Sequence, residues 1–248
     1  MLVPSTLALS AFFGCNPSSA LDVTDPDVLN VADYASPARP PGVPVGPPKS
    51  AVRFRYDAVG NRLTAGNQTL TYDASDRINS PGYTYDGNGN LTAKPDGSTY
   101  TYNAANQLVS STVGGSTTSY AYDGLNQLVQ TARGGVTSNF VLDMTAQHTQ
   151  MLGEVRSDGT VTTFTAGAMG MHSQRTGGAT EYALSDALGS VRAWTNASGA
   201  VARSTRYDAW GQAFSSPAPG AGMGFTGEWA SGDGLTYLRA RSYDSTLG

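Results

Sequence analysis

Charge is scarce in this sequence: Asp, Glu, Lys and Arg together make up 14% of 248 residues, and the formal net charge is -4. No basic surface advertises a nucleic acid or an acidic lipid face, so nucleic-acid binding is excluded as a reading. Cysteine is almost absent, and the lone Cys15 has no internal partner for a disulfide. Histidine is limited to His148 and His172, which neither supply a histidine-rich metal site nor stand beside a nucleophile elbow or a second histidine at i+4. No apolar run reaches the eighteen or so residues that span a bilayer as a helix. Leu7–Cys15 has the length of a signal-peptide h-region, but it lacks a basic n-region, and Phe12-Phe13-Gly14 is a poor match to the small-residue pattern before a lipoprotein cysteine.

What the chain does have is glycine, proline and tyrosine, a mixture that points to frequent turns between aromatic-bearing strands. The prolines crowd into Ser36–Lys49, SPARPPGVPVGPPK, where they remove backbone donors and fix φ. Residues 1–50 are therefore read as a weakly ordered N-terminal segment with an extended linker.

Beyond Ala51 a short pattern recurs. It reads YDAVGNRL from Tyr56, YDASDRI from Tyr72, YDGNGNL from Tyr85, YNAANQL from Tyr102 and YDGLNQL from Tyr122, with starts 16, 13, 17 and 20 residues apart. Such uneven spacing suits hairpins with variable loops better than a helical solenoid. Two residues before each tyrosine stands Phe54, Leu70, Tyr83, Tyr100 or Tyr120, so period two puts each pair on one face of a strand. Next comes Asp57, Asp73, Asp86, Asn103 or Asp123, whose side chain bonds the backbone two residues on. Four residues after the tyrosine stands Gly60, Asp76, Gly89, Asn106 or Asn126, the types that tolerate a left-handed backbone. Leu63, Ile78, Leu91, Leu108 and Leu128 then open the following strands. Asp96-Gly97, Gly114-Gly115, Gly134-Gly135, Asp158-Gly159, Gly177-Gly178 and Ser198-Gly199 supply tight turns at the opposite ends. The pattern predicts an all-β fold, an antiparallel meander of strand-turn-strand units.

These units resemble the YD-repeat, or RHS-repeat, family. The resemblance sharpens downstream: SDALGSVRAW (Ser185–Trp194) with NASGAV, YDAWG (Tyr207–Gly211), FTGEW (Phe225–Trp229) and LTYLRARSYD (Leu235–Asp244) are similar to the RHS repeat-associated core. It divides the chain into a YD-repeat sheet over 51–180 and a core region over 181–248. The core residues it marks are Asp186, Gly189, Arg192, Tyr207, Asp208, Gly211, Gly227, Glu228, Arg239, Arg241, Tyr243 and Asp244. It implies a curved or spiralling β-sheet forming part of a shell, in a secreted or cell-surface setting, around a C-terminal polypeptide cargo such as a toxin. Ser242 and Ser245 depart from the family's tyrosine and proline, and the sequence stops at Gly248, before the place where members carry their self-cleavage segment.

Nothing in the remaining polar residues assembles a nucleophile, base and orienting group, so the expectation is a non-enzyme without cofactor or metal. Asp86–Asn90 imitates a calcium loop, but Leu91 and Gly97 stand where that loop needs glycine and glutamate. Arg192, Arg239 and Arg241 are expected to form structural ion pairs with Asp186, Asp208 or Glu228. The expected partner is polypeptide, either cargo or a neighbouring RHS segment. A cell-surface glycan stacked on Trp194, Trp210 or Trp229 is the alternative, weighed against cross-strand aromatic packing. A third reading is a remnant of a self-cleaving protein.

Overall fold

In the computed structural model, the described residues are 54–145, 148–167, 170–214 and 220–248. The segment expected to be weakly ordered, 1–50, lies outside them. The chain divides into two compact units, with the boundary between Ser80 and Pro81.

The first unit carries a three-stranded antiparallel sheet of β1 (Phe54–Tyr56), β2 (Arg62–Ala65) and β3 (Gln68–Thr69). Tyr56 faces Arg62 while Arg55 faces Thr64, so Leu63 is the extra residue of a bulge. The position expected to hold an opening leucine therefore holds Arg62, which is 4% exposed with its guanidinium over the Phe54 ring at 5.8 Å. An arginine serves there because its stem packs like an aliphatic chain while its head meets a ring face. The second repeat closes as one isolated bridge, Tyr72 to Ile78.

The second unit is dominated by one thirteen-stranded sheet in strict chain order, each strand antiparallel to the last. Its strands are β4 (Thr84–Tyr85), β5 (Leu91–Ala93), β6 (Thr99–Tyr102), β7 (Leu108–Val113), β8 (Ser116–Tyr122), β9 (Leu128–Arg133) and β10 (Val136–Asp143). It continues through β11 (Gln150–Arg156), β12 (Val161–Gly167), β13 (Gly170–Thr176), β14 (Ala179–Ser185), β15 (Val191–Thr195) and β16 (Val201–Ser204). The all-β, antiparallel expectation holds, and the sheet remains open. It crosses residue 180, the division drawn from the sequence, inside β14.

Two kinds of turn occur along this sheet, and the longer, YD-type pattern also closes the hairpins at Asp96-Gly97, Asp158-Gly159 and Ser198-Gly199. Gly114-Gly115, Gly134-Gly135 and Gly177-Gly178 form two-residue connections with both φ values positive, the mirror-image turn whose twist matches flanking strands. The YD turns are longer. In the turn after Tyr85, Asp86 N–H donates to Asn90 O at 3.0 Å, and Gly89, at φ 85°, donates its N–H to Asp86 O at 3.1 Å. Past each turn the returning strand carries one extra residue: Thr92, Val109 and Val129 in the tyrosine repeats, where Tyr85, Tyr102 and Tyr122 face Leu91, Leu108 and Leu128.

The same bulge recurs at the same end of the sheet in hairpins without a YD signature. Leu152 is the extra residue between β10 and β11, His172 between β12 and β13, and Arg192 between β14 and β15. Phe140 and Phe164 stand two residues before Leu142 and Ala166, which face the returning strand across the bulge, as Tyr100 and Tyr120 stand before Tyr102 and Tyr122, and all four are buried. The repeat architecture thus continues past Tyr122 through two hairpins.

Because each bulge restores the face lost to odd spacing, one face acquires three rows. The first is aromatic: Tyr100, Tyr120, Phe140 and Phe164. The second is Leu91, Leu108, Leu128, Met151 and Met171. Three residues further along each returning strand stand Lys94, Ser111, Thr131, Glu154 and Gln174, a polar row.

A second, four-stranded sheet packs on this face: β17 (Gly222–Met223), β18 (Trp229–Ala230), β19 (Leu235–Tyr237) and β20 (Ser242–Asp244). Trp229, Leu235 and Tyr237 join Tyr100, Leu108, Tyr120, Leu128, Phe140 and Phe164 in one core. Trp229, 2% exposed, meets Phe140 edge-on at 4.9 Å and Phe164 at 6.1 Å. Burying a side chain of this size against aromatic partners contributes about 2–3 kcal/mol.

Candidate functional site at the seam of the two sheets

The sites marked by the repeats are turns built by an acceptor side chain. Asp57 Oδ1 accepts from the N–H groups of Val59 (3.1 Å) and Asn61 (2.8 Å), Asp73 Oδ1 from Ser75 (2.8 Å) and Arg77 (3.1 Å), and Asp86 Oδ1 from Asn88 and Asn90 (both 2.9 Å). Asn103 Oδ1 and Asp123 Oδ1 make the same pair of contacts. The bonds favour the ionised form, so Asp86 sits below the usual carboxylate range, held there first by the Asn90 amide. Its two oxygens are thus engaged in the hairpin rather than arranged as a cation loop, since Asn90 Nδ2 also donates to Oδ2 at 2.8 Å.

Adjacent turns are joined by side chains. Asn61 Nδ2 donates to Asp76 Oδ1 at 2.9 Å, Asn88 Nδ2 and Asn90 Nδ2 both donate to Asn106 Oδ1 at 2.9 Å, and Gln107 Nε2 donates to Asn126 Oδ1 at 3.1 Å. Asp76, Asn106 and Asn126 hold φ of 58°, 58° and 65°. Glycine would hold this backbone at less cost, but it would offer no acceptor to the preceding repeat. The tyrosines form a second link: Tyr72 Oη donates to Arg62 O at 3.1 Å and Tyr122 Oη to Leu108 O at 3.0 Å, each reaching the preceding repeat. Burial raises the Tyr122 pKa and pushes Tyr102 up to about 12, so both hydroxyls keep their protons at neutral pH.

The core residues fall into three groups. Asp186 shapes its own turn, accepting from Leu188 N–H (3.0 Å) and Ser190 N–H (2.9 Å), and pairs with Arg192 at 3.6 Å. Arg192 lies over the Tyr207 ring at 5.7 Å; Tyr207 meets Phe225 at 5.6 Å, and Phe225 stacks on Tyr243 at 6.4 Å. Tyr243 Oη donates to Trp210 O at 2.7 Å. Gly211, at φ 87°, lies so close to the Phe225 ring that a Cβ would collide with it, and Gly227 packs on Gly189 O. Asp208 accepts the N–H groups of Trp210 (2.8 Å) and Gln212 (2.9 Å) in a further turn.

Glu228 pairs with Arg239 at 2.7 Å, with burial raising the carboxyl pKa against the pull of the guanidinium. Asp244 receives Lys94 Nζ at 2.8 Å, with side chains 14% and 8% exposed. Burial works to lower the Lys94 pKa, yet Asp244 outweighs it and holds the ammonium above the usual lysine value. Arg241 forms no ion pair among the described residues. Of the tryptophans weighed as sugar platforms, Trp194 and Trp229 are buried, Trp194 beneath Arg203 at 4.9 Å. His172 touches Ser173 Oγ at 3.2 Å and the Tyr182 ring edge-on at 6.0 Å.

The seam also uses residues that sequence reasoning missed. Asp233, 5% exposed, accepts hydrogen bonds from both Ser111 Oγ and Tyr120 Oη through Oδ2, and from Leu235 N–H through Oδ1 at 3.1 Å. Tyr237 Oη accepts from Leu128 N–H at 3.1 Å. The polar row of the large sheet therefore anchors the small one, at Lys94 and at Ser111. Two signals were present: Lys94 is the sole lysine after Ala51, and Asp233 is an isolated acid in a glycine-flanked apolar stretch.

A long antiparallel sheet of aspartate-capped, tyrosine-linked hairpins, closed on one face by a short C-terminal sheet, defines a YD-repeat shell domain. The chain belongs to the Teneurin YD-shell family, which matches residues 43–248. No curated protein matches the chain. Among solved structures it is similar to a TcdB2-TccC3 complex (15% identity, TM-score 0.46, 79% of this chain and 16% of that one). It is also similar to TcdB2-TccC3-Cdc42 (14%, 0.43, 79% and 15%) and to a Photorhabdus luminescens Tc holotoxin pore with a substitution in TccC3 (14%, 0.41, 79% and 15%). The chain spans about a sixth of the length of those chains.

Proposed function

We propose that this chain is a non-catalytic wall segment of an RHS-type shell, in a secreted or cell-surface system that encloses or presents a C-terminal polypeptide cargo. The observation that carries the reading is the employment of the core residues. Asp186, Asp208, Glu228 and Asp244 each engage a turn or a cation, and Asp233 is consumed in joining two sheets. Groups committed to packing in this way hold a wall together. Its partner is polypeptide, either cargo or an adjoining RHS segment.

Intact-mass measurement of the purified chain across acidic to neutral pH tests the absence of self-processing, and an unchanged mass is expected. A discrete, time-dependent cut that Asp208→Asn or Asp244→Asn abolishes, in a variant with an unchanged melting temperature, would overturn it. The polypeptide encoded downstream is expected to co-purify with the chain.

A further inference from the structure

Six cations form ion pairs among the described residues, and five of them are arginines. The exception is Lys94, just past β5, whose partner Asp244 lies on β20 of the small sheet. The Lys94 side chain is 8% exposed, the least of the six, and that of Asp244 is 14% exposed. The residue type matters chemically. A guanidinium keeps its proton in a protein, whereas a desolvated lysine amine is a nucleophile.

The surroundings of the pair go beyond what a salt link uses. Lys94 Nζ donates to Asp244 Oδ2 at 2.8 Å, which leaves the carboxyl carbon one bond further on. The other oxygen, Oδ1, accepts from Thr246 N–H at 2.9 Å and from Thr246 Oγ1 at 2.6 Å. Asp96 Oδ2 stands 3.4 Å from Nζ, while Asp96 Oδ1 is fixed by Ser98 N–H at 2.9 Å. The buried Tyr100 ring lies 5.9 Å from Nζ. One carboxylate suffices for a salt link; an acyl transfer needs an acceptor carbon, a proton relay, and donors on the oxygen where charge develops.

We infer that Lys94 and Asp244 condense to an intramolecular isopeptide bond that ties the two sheets together, with Asp96 relaying protons and Thr246 holding the oxyanion. The ammonium is the resting form, because the Asp244 charge outweighs the burial that disfavours it. The reaction therefore begins with a proton passing from Nζ to Oδ2, which turns the ion pair into a neutral amine and acid, the form that burial favours. The Nζ lone pair then attacks Cγ, and the Cγ–Oδ1 π pair moves onto Oδ1, where the two Thr246 donors meet it. Asp96 takes a proton from the newly bonded nitrogen and passes it to Oδ2. The Oδ1 pair re-forms the carbonyl, the Cγ–Oδ2 bond breaks, and Oδ2 leaves as water past the exposed Asp96 side chain. Ammonium and carboxylate thus become one amide and one water, with no oxidant or co-reactant. Fixed proximity favours the condensation, and burial keeps bulk water from reversing it. The bond forms once, on folding, so the mass is constant thereafter, and the inference does not depend on the shell role.

Intact-mass spectrometry of the folded full chain tests the bond. A mass below that of the sequence by one water is expected. Trypsin cuts after Arg77, Arg133 and Arg241 but not at Lys94-Pro95, so it should release a branched peptide joining residues 78–133 to 242–248. Lys94→Arg keeps a cation for Asp244 but has no nucleophilic amine, and is expected at its full sequence mass with the two peptides separate. Asp96→Asn keeps the acceptor for Ser98 N–H and loses the relay, so its water loss is expected to be about a hundredfold slower. A full sequence mass for the unsubstituted chain after prolonged incubation at neutral pH would overturn the inference, whatever the variants do. So would a lost water that maps to a succinimide at an Asp-Gly pair instead of the branched peptide, or a branched peptide that forms as fast in Asp96→Asn as in the unsubstituted chain.

Discussion

Replacing Asp233 with asparagine keeps an acceptor for Leu235 N–H but turns the charged end of the Ser111–Tyr120 contact into a neutral amide. Ser111 is 0% exposed and Tyr120 6%, so neither hydroxyl can turn to water for compensation. A hydrogen bond to a charged group contributes about 1.5–3 kcal/mol, and two of them end on this carboxylate. Relief from carboxylate desolvation offsets part of the loss, as does the Ser111 Oγ to Tyr120 Oη contact at 3.2 Å, which survives. Asp233→Asn is therefore expected to cost about 2 kcal/mol, and Tyr120→Phe, which deletes one donor, a similar amount. Because both act through one carboxylate, the double variant should fall short of the sum by about 1–2 kcal/mol. Urea denaturation followed by near-UV circular dichroism reads all four corners of the cycle. At this size each single change corresponds to a melting shift of about 4–8 °C. Additivity within about 0.5 kcal/mol, or wild-type stability for Asp233→Asn, would refute the pin.

Gly89→Ala and Gly211→Ala share a backbone problem, at φ 85° and 87°, but only Gly211 faces the Phe225 ring; calorimetry should show an equal backbone cost of about 1 kcal/mol and a further 1–3 kcal/mol at Gly211 alone. Gly89→Val, with open space for its Cβ, should cost about 1–3 kcal/mol and exceed Val59→Ala. At Asn106, alanine loses the contacts from Asn88 and Asn90 while keeping a positive φ, whereas glycine loses the contacts but relieves the backbone. Alanine should therefore be less stable than glycine by about 1 kcal/mol in chemical denaturation, and the reverse order would refute a strained backbone at this position. Asp86 has a folded pKa below its unfolded value near 3.8, so its contribution is present above that pH and is lost as pH falls through the folded value. Asp86→Asn keeps the turn acceptor without titrating, and melting curves should show the variant gaining on wild type as pH drops through that window.

The repeats were legible because their information is local. Tyrosine, acceptor, left-handed residue and leucine lie within seven positions, and backbone sterics restrict each slot. Where the slot was filled by another residue type, reading failed. Leu63 looked like the strand opener, yet Arg62 holds the position, because a long stem over Phe54 substitutes for an aliphatic side chain. The hairpins around Phe140 and Phe164 escaped notice because Leu142 and Ala166 stand in the tyrosine slot, although Asp143 follows the first and their aromatic spacing persists. The seam was beyond sequence reading for another reason. Ser111 meets Asp233 across 122 positions and Lys94 meets Asp244 across 150. Such pairings arise from where an entire sheet carries its rows, and no short motif encodes that.

Six one-residue bulges lie at one end of the long sheet in six successive hairpins, from Thr92 to Arg192, and a seventh, Ala202 between β15 and β16, lies at the opposite end. A bulge bends its strand and adds right-handed twist. Had the bulges alternated between ends, their effects would oppose one another; with six of them at one end, those six add like stitches gathered along one hem. The tendency to coil is therefore a property of the hairpin, set by the count of identical steps rather than by a distant contact. Such a chain can lengthen or shorten in whole hairpins, each bringing its own increment of turn and its own acceptor for the hairpin before it. Inserting a single hairpin changes how far the ribbon winds, whereas inserting a single strand reverses the direction of every strand that follows.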